Sequence, residues 1–152
     1  MDVDINVAAT EILQIIIKNE STSIKEQSVK FSQYTELLNR WLYVKNIGGN
    51  IEKYFKANNY RRIAIYGMAF LGERFLEEME KTEVVVAYGI DRAPLSVCAR
   101  NKIKVIGVHD KWDQEIDAVI VTPVTYYEEL QKMIKSKVSC PVISLKDVIW
   151  AL

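Results

Sequence analysis

Five short runs in the second half of the chain are apolar at almost every position, instead of alternating apolar and polar residues. Strands that are apolar throughout are buried on both faces, as in a parallel sheet that is covered by helices. Residues 61–152 are therefore predicted to form an α/β domain. The runs are RIAIYG (62–67), EVVVAYGID (83–91), IKVIGV (103–108), DAVIVTP (117–123) and CPVISL (140–145).

Segments with a helical period separate these runs, and right-handed crossovers between parallel strands restrict how they can be connected. Together they favour a Rossmann-like open parallel sheet of about five strands in the order 3-2-1-4-5. Two helix starts fit the Ser/Thr-x-x-acid capping pattern, at Thr125 with Glu128 and at Ser144 with Asp147. The predicted helices cover 71–81, 110–115, 125–137 and the closing KDVIWAL (146–152).

Residues 1–60 carry two apolar stripes with helical spacing, separated by NESTS (19–23), whose Ser and Thr residues are N-cap candidates. NIGGN (46–50) ends the second stripe with C-cap glycines at Gly48 and Gly49. We predict a helical hairpin, followed by a connector helix in NIEKYFKANNY (50–60). The stripes are Ile5, Ala8, Ala9, Ile12, Ile15 and Ile16, then Phe31, Tyr34, Leu37, Leu38, Trp41 and Leu42.

The composition excludes several functional classes. Acidic and basic residues number 20 each, so no overall field favours nucleic acid or an anionic membrane. The two cysteines, Cys98 and Cys140, lack metal-ligand spacing, which is typical of a reducing compartment. The N-terminus lacks the basic region and apolar core of a signal peptide, and no apolar run approaches the ~20 residues of a spanning helix. We expect a cytoplasmic protein without membrane insertion and without a metal site.

The segment RRIAIYGMAFLGERFLEEME (61–80) reads as a strand, a glycine turn and a helix. In the dinucleotide fingerprint G-x-G-x-x-G, the first glycine makes the turn, the second admits the pyrophosphate and the third packs helix on strand. The corresponding residues are Gly67, Ala69 and Gly72. An anion is favoured at the helix N-terminus, although Glu73 would compete with it and Arg74 would offset Glu73.

The acid that binds ribose hydroxyls in this fingerprint follows the second strand, about 20 residues further on. Asp91 ends the second strand nineteen residues after Gly72 and favours NAD over NADP, whereas the adjacent Arg92 keeps a 2′-phosphate conceivable. Each feature also has a purely structural interpretation, as a tight connection or a turn cap. The order and spacing together favour a nucleotide-type ligand over a domain that binds no small molecule.

The residues IAIYGMAFLG, YGIDR, DAVIVTP and CPVISLKDVI resemble the Rossmann-like domains of the NAD(P)-binding and CoA-binding superfamily. The resemblance covers residues 36–152 and is nearest to the domains attached to bacterial surface-polysaccharide and nucleotide-sugar enzymes. It implies a nucleotide or nucleotide sugar over the turn, Asp91 on a ribose and Thr122 near the far end of the ligand. Ala69 departs from the dinucleotide pattern. The candidate ligand-binding residues are Gly67, Met68, Ala69, Phe70, Leu71, Gly72, Asp91, Arg92 and Thr122.

No catalytic residue can be assigned, because the sequence has no Tyr-x-x-x-Lys pair, nucleophile elbow or Walker lysine. His109 follows the third strand on the ligand side, where a general acid or base would lie, but a surface-loop histidine is the commoner arrangement. Two functions are favoured: a nucleotide-binding module with NAD(H) or a nucleotide sugar as ligand, and a non-catalytic interaction protein. A self-contained NAD(P)-dependent sugar-nucleotide oxidoreductase or epimerase is less favoured, because only the coenzyme half of such an enzyme is encoded. The apolar stripes of the N-terminal helices further predict a homodimer.

Overall fold

A computed structural model describes residues 5–152, with the backbone alone for Ile5, Asn6 and Ala8. Its five strands form one parallel sheet in the order β3-β2-β1-β4-β5, which confirms the predicted fold class and strand order. The strands are β1 (Arg62–Tyr66), β2 (Val85–Asp91), β3 (Val105–Gly107), β4 (Ala118–Val121) and β5 (Val142–Ser144).

The two central strands, β1 and β4, are almost completely buried, as their apolar sequences predict. On one face, strand side chains such as Tyr66 and Val119 form a core cluster with Leu130 and Ile134. A second group of rings lies in the same unit, where Phe75 contacts Phe55 at 6.1 Å and Trp41 at 6.5 Å between centroids. The helices are α1 (Ile5–Asn46), α2 (Glu52–Ala57), α3 (Phe70–Met79), α4 (Tyr127–Lys135) and α5 (Leu145–Trp150).

The predicted N-terminal hairpin is wrong, because α1 is one continuous helix through NESTS. The hydroxyl of Thr22 donates to the carbonyl of Lys18 over 2.9 Å, so a residue expected to start a helix is accommodated inside one. Residues 5–47 contain no glycine or proline, and the first glycine after them is Gly48, whose φ is +76°. The C-cap glycines and the connector helix α2 are confirmed. The side chains of Ile5 and Ala8, which belong to the predicted first stripe, lie outside the described part of the chain, as do residues 1–4.

The chain divides into two compact units, the first ending at Glu36 and the second covering Leu37–Leu152. The boundary therefore lies within α1, upstream of the boundary predicted after residue 60. The second unit contains the whole sheet, the helices α2–α5 and the end of α1. In this end of α1, Leu37, Trp41 and Val44 are buried.

The helix predicted at 110–115 is absent, and an extended segment covers the sheet in its place. Trp112 and Ile116 of this segment are buried in the core cluster. Asp113 accepts the N–H of Glu115 through Oδ1 at 2.9 Å, a local turn that competes with a helical bond. Gln114 links the segment to residue 137 through the Lys137 carbonyl, 3.2 Å away.

One of the two predicted helix caps is correct. Ser144 caps α5, since its hydroxyl accepts the N–H of Lys146 at 3.2 Å. Thr125 does not cap α4, which begins at Tyr127 after a short 3₁₀ turn, Val124–Tyr126. The Thr125 hydroxyl is instead buried without a hydrogen-bond partner among the described residues.

Tyr88 gives the fold a testable dependence on alkaline pH. Its hydroxyl donates to the Asp113 carbonyl over 2.7 Å, and burial raises the pKa of Tyr88 to about 12 from 10.0. The folded chain therefore holds this proton more tightly than the unfolded chain does. The resulting contribution to stability is present below about pH 10 and is lost as the pH rises towards 12.

We expect Tyr88→Phe to reduce the loss of unfolding free energy across this pH range, because phenylalanine has no proton to release. Urea unfolding at a series of pH values measures the effect. Tyr126→Phe is the matched control, since it removes the same hydroxyl from an exposed tyrosine. Equal slopes in the Tyr88→Phe protein and the unsubstituted protein would contradict the prediction.

Candidate functional site

The turn at Gly67 connects β1 to α3 at the carboxyl edge of the sheet. Gly67 has a φ of +88°, a conformation that glycine adopts without steric cost. Its N–H donates to the Ile90 carbonyl of β2 over 2.8 Å. A Cβ at Gly67 would lie 2.6 Å from Pro123 Cδ and 2.7 Å from Thr122 Oγ1. Both backbone conformation and space therefore require glycine, as at the first fingerprint position.

Gly72 brings the first turn of α3 close to the preceding loop. A Cβ at this position would overlap the carbonyl oxygen of Gly67, which is backbone and cannot move independently of the turn. This is the close packing expected of the third fingerprint glycine. Ala69, at the middle position, is the N-cap residue of α3 and provides no side-chain hydrogen bond to the helix.

The remaining turn residues differ in what they present to solvent. Met68 is fully buried and Leu71 is 5% exposed, so neither of them is accessible to a ligand. Ala69 is exposed, and Phe70 is 82% exposed at the start of α3. The exposed ring of Phe70 is the one large apolar side chain that the turn offers to a bound molecule.

Asp91, the predicted ribose ligand, is hydrogen-bonded to the turn itself. Its Oδ2 accepts the N–H of Met68 at 2.8 Å, and its Oδ1 accepts the N–H of Ala93 at 2.9 Å. The carboxylate thus joins the end of β2 to the glycine turn. Each carboxylate oxygen has a further lone pair, so these bonds leave acceptor capacity for a hydroxyl.

Thr122, predicted near the far end of the ligand, holds the turn from the β4 side. Its side chain is 3% exposed, and its hydroxyl lies 2.6 Å from the carbonyl oxygen of Gly67, to which it donates. The Thr122 N–H donates to the Tyr66 carbonyl at 3.0 Å. The described position of Thr122 is therefore that of a support for the turn.

A cleft of about 620 Å³ opens at the same edge of the sheet. It is lined by Tyr66, Arg92, Pro94, Gly107, Val108, His109, Asp110 and Met133. Of the predicted site residues, Arg92 lines this cleft directly. His109 also lines the cleft, on the side of the sheet where the sequence placed it. Sequence reasoning did not single out the other lining residues, although Tyr66 and Gly107 end β1 and β3 and so belong to the predicted carboxyl edge.

Arg92 is the main cationic group of this cleft. It is exposed and, within residues 5–152, forms neither an ion pair nor a side-chain hydrogen bond. Asp110 is engaged locally, because its Oδ2 accepts the N–H of Gly107 at 2.6 Å. The guanidinium of Arg92 can therefore donate to an anionic ligand without first breaking an internal contact.

The start of α3 also carries hydrogen-bond donors, although no residue of α3 lines the cleft. The first N–H groups of a helix have no intrahelical acceptor, and Ala69 does not cap them through its side chain. The Arg74 guanidinium is already paired with two carboxylates of α3, since its Nη2 lies 3.6 Å from Glu73 Oε2 and 2.9 Å from Glu77 Oε1. Unpaired backbone donors and the Arg92 guanidinium both suit an anion.

Other kinds of site are not supported by the described residues. Within residues 5–152, no three His, Cys, Asp or Glu side chains are placed to hold a metal ion. None of the helices in that range is both long enough and apolar enough to cross a membrane. Comparisons with protein-family models, with curated proteins and with solved structures gave no significant match for the chain.

Proposed function

We propose that the chain binds a nucleotide-type small molecule, NAD(H) or a nucleotide sugar, at the carboxyl edge of its sheet. The observation that carries the proposal is the Arg92 guanidinium, which lines the cleft and forms no ion pair within residues 5–152. Arg92 follows Asp91, whose carboxylate bonds the Gly67 turn. In open α/β sheets, ligands bind outside the carboxyl ends of the strands, where the strand order reverses. Here the order reverses between β1 and β4.

The dimensions and chemistry of the edge support this ligand class. Ligand pockets commonly enclose ~300–1,000 Å³, and the cleft lies within that range. Arg92 and the free N–H groups of α3 would bind phosphate oxygens, and the remaining lone pairs of Asp91 would accept ribose hydroxyls. The resemblance to domains of bacterial surface-polysaccharide and nucleotide-sugar enzymes suggests an accessory role in that metabolism.

The competing function is an interaction module that keeps the fold without a small ligand. It is favoured by the contact between Asp91 and the Met68 N–H. In nucleotide-binding turns, backbone N–H groups of this loop face the phosphates, and a carboxylate already bound there would repel an anion. The two functions differ in whether a nucleotide stabilises the folded chain.

The test is thermal unfolding of the intact chain with NAD⁺, NADP⁺, UDP-glucose and inorganic phosphate, each varied into the millimolar range. A ligand at 100 times its Kd adds about 2.7 kcal/mol to the unfolding free energy, so binding should raise Tm. We expect a nucleotide to give a larger shift than phosphate. A flat response to every nucleotide would contradict the proposal and favour the interaction module.

Arg92→Gln then locates the site. A charge-assisted hydrogen bond contributes about 1.5–3 kcal/mol, so we expect Kd for the nucleotide to rise about ten- to a hundredfold. Arg100→Gln is the matched control, because Arg100 is exposed and does not line the cleft. Equal affinities for the two variants, measured by titration calorimetry, would move the ligand away from Arg92.

A further inference from the structure

The part of α1 that precedes Leu37 is a helix without a core of its own. Between Val7 and Glu36, no described side chain is buried. Isolated exposed apolar residues are normal on a protein surface, but a concentration of them marks an interaction surface. The large exposed apolar residues of this segment are Val7, Ile12, Leu13, Ile15, Ile16, Ile17, Ile24, Val29 and Phe31.

Three of these apolar residues recur at the heptad spacing of a coiled-coil seam, whereas Ile12, Ile15, Ile16 and Val29 lie on other faces of the helix. Ile17, Ile24 and Phe31 are seven residues apart and are 63%, 67% and 74% exposed. Alternating steps of three and four residues give an a/d seam, with these three residues at position d. The a positions are uncharged and mostly small: Gln14, Ser21, Ser28 and Thr35. No charged residue interrupts the seam over residues 14–35, a length of about 33 Å in a helix.

The charges beside this seam distinguish the possible partners. Lys18 and Lys25 occupy position e, and Glu20 occupies position g. In a parallel pair, position g of one helix faces position e of the next heptad on its partner, so Glu20 would face Lys25 of a second copy. In an antiparallel pair the two e rows would face each other and place lysine near lysine. The sequence is therefore complementary to itself in the parallel orientation.

We propose that residues 14–35 form a parallel two-stranded coiled coil with the same residues of a second copy of this chain. Ile17, Ile24 and Phe31 are the apolar layers, and the small hydroxyl residues between them allow the helices to approach closely. Glu20 and Lys25 set the orientation. This assembly is independent of whether the carboxyl edge binds a nucleotide.

Disulfide trapping tests both the pairing and its direction. In a chain carrying Cys98→Ser and Cys140→Ser, Ser21→Cys places a thiol at position a, opposite its own counterpart. A disulfide requires Cα atoms about 4.4–6.8 Å apart, which a parallel in-register pair provides there. Ser23→Cys is the matched control, since Ser23 lies at the outer position c. We expect Ser21→Cys to become almost wholly a covalent dimer on mild oxidation and Ser23→Cys to stay monomeric on a non-reducing gel.

Sedimentation of the intact chain provides the independent measurement. We expect a dimer at micromolar concentration, and Ile24→Asp should raise its dissociation constant at least tenfold. Val29→Asp adds the same charge at the outer position b and should leave the constant unchanged. A monomeric unsubstituted chain, an assembly larger than a dimer, or equal trapping through Ser21→Cys and Ser23→Cys would each overturn the proposal.

Discussion

Replacing Gly72 with alanine should lower the unfolding free energy of the chain by about 3 kcal/mol or more. The added methyl group would overlap the carbonyl oxygen of Gly67, so either α3 or the turn must move. The turn is bonded to both neighbouring strands, through Asp91 and through Thr122, and cannot yield without losing those contacts. Urea unfolding followed by circular dichroism measures the loss.

Gly48→Ala is the control for this substitution. Gly48 also has a positive φ, +76°, but a Cβ there would meet nothing within 4 Å. Its cost should be that of the left-handed backbone alone, about 1–2 kcal/mol. If Gly72→Ala costs no more than Gly48→Ala, the close approach of α3 to the Gly67 turn is wrong.

Trp112→Ala should cost about 3–5 kcal/mol, the range for removing a large aromatic side chain from a core. Trp112 is 4% exposed, and its ring centroid lies 6.3 Å from that of Tyr66. Trp112 belongs to the extended segment that covers one face of the sheet, so its loss would leave part of that face uncovered. The unfolding free energy in urea checks this value.

Trp150→Ala is the control for this substitution, because it removes an indole that is partly exposed and not buried in the core. Trp150 is 39% exposed at the end of α5, with the Lys146 ammonium 5.3 Å from its ring. We expect a cost below about 1 kcal/mol, because exposed cation–π contacts contribute ~0.5–1 kcal/mol. Similar costs for both tryptophans would mean that the 111–116 segment does not cover the sheet as described.

The sheet could be predicted because its strands carry a strong signal. A run such as DAVIVTP is apolar on both faces, which few structures other than a buried parallel strand accommodate. The hairpin prediction was wrong because its signal was ambiguous. Ser and Thr can either cap a helix or donate to a carbonyl within it, as Thr22 does. The helix predicted at 110–115 is absent because the burial of Trp112 and Ile116 in the core outweighed the local preference for a helix.

The sequence predicted the backbone roles of two glycines in the candidate site, but it did not predict the hydrogen bonds that hold the turn. The turn and packing roles of Gly67 and Gly72 follow from sequence position, and their geometry agrees with those roles. The bond from the Met68 N–H to Asp91, and the bond from Thr122 to the Gly67 carbonyl, depend on three loops meeting at one edge. Their chemistry is common to many turns, so no sequence pattern distinguishes them in advance. The ligand-binding roles stay predictions.

The bonds that fasten the Gly67 turn have a consequence for how any occupant would be selected. A loop that becomes ordered only on binding subtracts the cost of that ordering from affinity. This turn is already held by β2 on one side and β4 on the other. Binding at this turn would therefore not require a loop to close. Selectivity among ligands would depend on how well each one fits the fixed shape of the turn, and not on how far the turn can adapt.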